Sequence, residues 1–184
     1  MNTAQLTLHL TLGSMIALAA CRDSSAAPAP PPPPKTGAPA APGSVDARTP
    51  VPLTAMMATH QKRDMRDHLR AVQEITAALA RDDFGAIAAS AARIGWSDQQ
   101  AAKCKHMGAG APGFAAMGEH FHRTADQISD AARRHDRPGV VHALDVTLQT
   151  CVGCHESFRQ EIVADAKATG AAGMDDSCPM MQGK

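Results

Sequence analysis

Residues 151–155 read Cys-Val-Gly-Cys-His. No other run of this length constrains the chain as much. C-x-x-C-H is the pattern that attaches a c-type haem: two thiols add across the vinyl groups, and the adjacent imidazole becomes the proximal iron ligand. A fold that serves this chemistry must put Cys151, Cys154 and His155 on one face. A helix does so, because residues three and four apart share a side. Leu144, Leu148, Phe158, Arg159 and Ile162 keep the same 3.6-residue period around the motif, which predicts one long last helix with the haem ligands in its apolar stripe. The competing reading is a redox or zinc Cys-x-x-C. Zinc would want a second ligand pair, and the sequence offers none at suitable spacing.

A haem motif close to the C-terminus, continuing as C-x-x-C-H-x-x-aromatic-Arg, resembles the class II cytochromes c, the cytochrome c′ family. The resemblance implies an all-α fold, an antiparallel four-helix bundle with one covalent haem c in its core. Phe158 stands where that family usually has Tyr, keeping the ring and losing the hydroxyl. The resemblance also puts Arg159 near a haem propionate, although Arg159 taken alone is equally a solvated face residue.

Composition supports a helical core of unusual make-up. Aromatics are 3 % of the chain, with no Tyr and one Trp. The interior must be built from Ala, Leu, Ile, Val and Met, and a haem would supply missing apolar bulk. Some of the ten Met are expected to fill gaps around such a group. Lys+Arg and Asp+Glu both number 18, so nothing points to nucleic acid.

The first 20 residues carry an apolar run from Leu6 to Ala20, short for a membrane span and suited to a signal peptide. It ends Leu18-Ala19-Ala20-Cys21, similar to the bacterial lipoprotein cleavage box, which would make Cys21 an acylated N-terminus. No Lys or Arg precedes the run, a departure from that pattern; an ordinary signal peptide cut near Ala20 is the alternative. Either way the mature chain is expected outside the cytoplasmic membrane, in the periplasm, tethered there if Cys21 is acylated. Residues 21–52 are Pro- and Ala-rich and are expected to be an extended spacer.

From residue 53 to 168 the pattern is helical. Met57, Gln61, Met65, Leu69, Val72, Ile75 and Leu79 fall on one stripe of a first helix over residues 53–81, with His68 on it too. Asp82-Asp83 caps a second helix, interrupted at Gly95 and restarted by Ser97 with Gln100, running to Met107. A Gly-rich loop follows over 108–113. A third helix carries Phe114, Met117, Phe121, Ala125, Ile128 and Ala132. Asp136 and Pro138 open the fourth, which holds the haem motif. No strand is expected. Residues 169–184 form a polar tail with Met174, Cys178, Met180 and Met181, either a frayed end or a soft-sulfur site for copper. Cys104 and Cys178 remain once the acylated and haem-bound cysteines are set aside, either as a disulfide or as two free thiols.

Counting from both helix ends places residues 64–68 of the first helix level with His155. Low-spin members of the resembling family take a Met from that helix as sixth iron ligand, and Gln61-Lys62-Arg63-Asp64-Met65 looks like their pattern. Met65 is therefore the expected distal ligand and His68 the alternative; Met57 lies two turns too early and His60 off the stripe. His120 and His122 stand two apart and do not share a face, so they and His106 are expected at the surface or behind the ligands. The sequence shows no catalytic constellation. It is consistent with an electron-transfer cytochrome rather than an enzyme, served by redox partner proteins it does not name. The alternatives are a five-coordinate haem protein that binds or senses NO or CO, and a copper-handling protein. A homodimer is compatible with the sequence.

Overall fold

The computed structural model describes residues 46–165 and 169–170. The expectations for Cys21, for the spacer up to residue 45 and for Met174, Cys178, Met180 and Met181 lie outside the described residues. The chain is mainly α-helical, in the order β1 (Thr49–Leu53), α1 (Ala55–Leu79), α2 (Phe84–Arg93), α3 (Asp98–Met107), α4 (Phe114–Arg133), α5 (Arg137–Ser157) and β2 (Phe158–Ile162). Among the described residues no helix is long and apolar enough to cross a membrane.

Side-chain caps set most of the helix starts. Thr54 accepts from the Met57 amide, Asp83 from Ala86, Ser97 from Gln100 and Asp136 from Gly139, each satisfying one amide left open by the first turn. The expected second helix is two helices, α2 and α3. Gly95 stands between them, and the Asp126 carboxylate of α4 occupies the space a Cβ there would need. That carboxylate also accepts from the Trp96 amide at 3.2 Å.

Packing runs in a ring: α1 on α2, α2 on α4, α4 on α5, with α3 against α4. The ring is open between its first and last members, since α1 and α5 make little direct contact. Two apolar clusters close it at its ends. One joins Ile75 and Ala78 of α1, Ile87 and Ala91 of α2, Ile128 and Ala132 of α4, and Val140 and Ala143 of α5. The other joins Val51 and Leu53 with Met57, Met107 and Phe158.

The second cluster rests on strands that periodicity did not predict. β1 and β2 pair in parallel, Thr49 opposite Phe158 through Leu53 opposite Ile162. Three expectations change. The spacer does not reach residue 52, because Val51 and Leu53 are 1 % and 0 % exposed. The haem-motif helix stops at Ser157, so Phe158, Arg159 and Ile162 belong to a strand, and Ile162 is exposed. The first helix is also buried along only part of its expected stripe: Met57 and Ile75 are 2 % and 0 % exposed, whereas Leu69 is 70 % exposed, and Ala58, Ala71 and Ala78 are inside. Small side chains let the neighbouring helix approach closely, so the buried side takes in the alanines.

Candidate functional site

The gap between α1 and α5 is a cavity of about 440 Å³, inside the range of roughly 300–1,000 Å³ typical of cofactor pockets. Cys151, Cys154 and His155 line it from α5, as the helical spacing of the motif predicts. Met65 and His68 line it from α1, so both expected distal candidates share the cavity with the motif. The walls between are largely apolar, with Val72, Met107, Phe114, Met117 and Phe121 among them. Met65, Leu69 and Leu148 also border it while being 39 %, 70 % and 41 % exposed, an apolar rim that a flat apolar group would cover.

Both motif cysteines carry free, half-buried thiols. Burial and then the neighbouring Cys151 push the Cys154 thiol up to about 11; burial raises Cys151 as well. Both are therefore protonated at neutral pH. The loop before β1 holds the end of α5: Arg48 donates to the backbone carbonyl of His155 at 3.1 Å and is itself paired with Asp46 at 2.7 Å. Arg48 hydrogen bonds hold the Asp46 carboxyl down at about 2.

The opposite side is rich in rings. His68 stacks on Phe121, centroids 4.5 Å apart, and meets His122 edge-on at 5.5 Å. Burial, then the nearby His122, lower the His68 imidazole to about 4, so it is neutral at physiological pH. His122 is 4 % exposed, and its Nδ1 lies 2.8 Å from the Ile94 carbonyl. That contact fits an Nδ1–H tautomer, leaving Nε2 as the acceptor. Burial lowers His122 too, partly offset by the Ile94 carbonyl.

The remaining expectations divide. His122 borders the cavity against the His68 ring, behind a ligand candidate, which is one of the two places expected for it, and His106 is 4 % exposed in the interior, so neither is a surface residue. The spacing held the signal for one of them: two residues apart on a helix point to opposite sides, so only one of His120 and His122 can face out. Met57 is buried in the strand-end cluster, and neither it nor His60 borders the cavity. Arg159 does not border it either; it lies on β2 beside Glu161 at 3.8 Å. The cations at the cavity are Arg66 and Lys103, neither of which the sequence singled out. Cys104 was also missed. It borders the cavity because Gly118 of α4 lets α3 come close: a Cβ there would stand 2.8 Å from Cys104 Sγ.

Two thiols and an imidazole on one wall, with a thioether and a second imidazole on the other, form a donor set that could hold a haem. Among the described residues no three His, Cys, Asp or Glu side chains converge as a metal site of their own. Comparison with protein-family models, curated proteins and solved structures returned no match for this chain.

Proposed function

We propose that the chain is a c-type cytochrome that carries electrons, with one haem c in the cavity between α1 and α5. On this reading Cys151 and Cys154 hold the macrocycle by thioethers and His155 is the proximal iron ligand. α1 supplies the sixth ligand, from Met65 or His68. Helices α1, α2, α4 and α5 then form the four-helix bundle of the class II cytochromes c, with the haem filling the open side of the ring. Arg66 and Lys103 are the cations placed to meet haem carboxylates.

The observation that supports this reading most is the meeting of sequence pattern and shape. The C-x-x-C-H side chains share one wall of an apolar cavity whose far wall carries two further iron-ligating side chains. A haem held there by His155 and a side chain of α1 would supply one-electron redox chemistry without needing a substrate site. We further propose that the mature protein is exported and tethered through acylated Cys21, with periplasmic redox proteins as its partners.

Mass spectrometry of the exported protein tests the assignment. One haem mass should stay on the peptide containing Cys151 and Cys154 after acid-acetone extraction. Haem released into the extract, or none on the protein, would overturn it. A high-spin spectrum that shifts on adding CO or NO would keep the haem and transfer the function to small-ligand binding.

A further inference from the structure

We infer that His68, rather than Met65, is the sixth iron ligand, so that the haem has two imidazole ligands; this rests on the haem reading above. The sequence favours Met65 because resembling proteins use a Met and because it stands level with His155 on a stripe that also carries His68. The packing divides that stripe along its two edges. Met57, Gln61 and Ile75 are 2 %, 9 % and 0 % exposed and mark the inner line of α1. His68 falls on this line, seven residues after Gln61 and seven before Ile75, where a helix repeats its direction to within about 20°. Met65 is three residues earlier, turned roughly 60° away. It leans toward Leu69, the most exposed of the large apolar residues, and is itself 39 % exposed.

The two side chains also differ in how firmly they are held. The His68 ring is fixed between Phe121, stacked at 4.5 Å, and His122, edge-on at 5.5 Å. His122 is anchored in turn by its contact with the Ile94 carbonyl at 2.8 Å. A ligand whose orientation is set by its neighbours binds without first losing rotamer freedom. Met65 has three rotatable bonds and stands at the rim. His122 is not the ligand itself, because α4 packs directly on α5, whereas α1 faces α5 across the cavity. Its place is to hold His68.

The test uses the purified haem-loaded protein. The wild-type ferric form should be low-spin, with the near-infrared charge-transfer band of bis-imidazole iron rather than that of imidazole–thioether iron. Met65→Leu should keep the low-spin spectrum and leave CO excluded. His68→Ala should become high-spin and bind CO, and added imidazole should restore the low-spin state. The near-infrared band needs no variant, so it decides even if His68→Ala does not accumulate. A thioether band, a high-spin wild type, or loss of the low-spin state in Met65→Leu would each overturn the inference while leaving the haem in place. Absence of covalent haem on Cys151 and Cys154 would overturn the haem reading itself, and this inference with it.

Discussion

Cys104 shows how much a single position owes to its surroundings. Burial, then the Glu119 carboxylate and the Cys154 thiol, push its thiol up to about 11 from an ordinary value of 9.0. Only the thiolate attacks an alkylating reagent, so two decades of shift cut the reactive fraction at pH 8 roughly a hundredfold. Under reducing conditions Cys104 should react with iodoacetamide about that much more slowly than a thiol in the urea-unfolded chain. Its rate should climb with pH until about 11, followed by peptide mass spectrometry. Labelling as fast as in urea would mean that α3 does not hold Cys104 against α4. The residue was visible in the sequence only as a leftover from cysteine arithmetic. What brings it to the cavity, the close approach allowed by Gly118, is a contact between helices and leaves no local trace.

The two strands are the element on which local pattern and observed structure part most clearly. Thr-Pro-Val-Pro-Leu looks like the end of a spacer, because two prolines in five residues argue against a sheet. Both fall where the missing N–H does no harm. The Leu53 carbonyl accepts from Val163 at 2.9 Å, so alternate residues face β2 while Pro50 and Pro52 turn their backbone to the open edge. Val51 and Leu53 pack in one apolar cluster with Met107, a residue of the cavity wall. Leu53→Ala should therefore cost about 3 kcal/mol in urea denaturation, as for other fully buried leucines. A chain starting at residue 54 should lose at least as much as the point variant, whereas one starting at residue 46 should keep full stability. Equal stability of the two truncated chains would return residues 49–53 to the spacer. Three helix starts were legible for the opposite reason: Asp83, Ser97 and Asp136 act within their own turn, so sequence shows the whole interaction.

At the scale of the molecule, the pairing of β1 with β2 brings the incoming chain beside the exit of the haem motif. Arg48 then reaches the His155 carbonyl across 107 residues of sequence. Residues 48–53 therefore lie against the C-x-x-C-H end of α5. If the chain is anchored by an acyl group on Cys21, as proposed, Cys21→Ala should move the protein from the membrane pellet to the soluble fraction, since stable attachment needs the lipid chains. Unchanged pelleting of that variant would exclude Cys21 as the anchor.

The sequence by itself determined the helices, their caps, the break at Gly95 and the joint facing of Cys151, Cys154 and His155. Each depends on residues within about four positions of one another, where helical geometry leaves little choice. Tertiary structure alone decided the rest. It divided the stripe of α1, burying Ile75 with Ala71 and Ala78 and leaving Met65 and Leu69 at the rim. It drew Phe158 out of the helix and into a strand. It carried Arg159 away from the cavity and brought Arg66 and Lys103 to it, and it made His122 an interior ring. These outcomes follow from which surfaces pack most closely, a competition between segments up to a hundred residues apart. Periodicity in one segment gives its possible faces, and the partner selects among them.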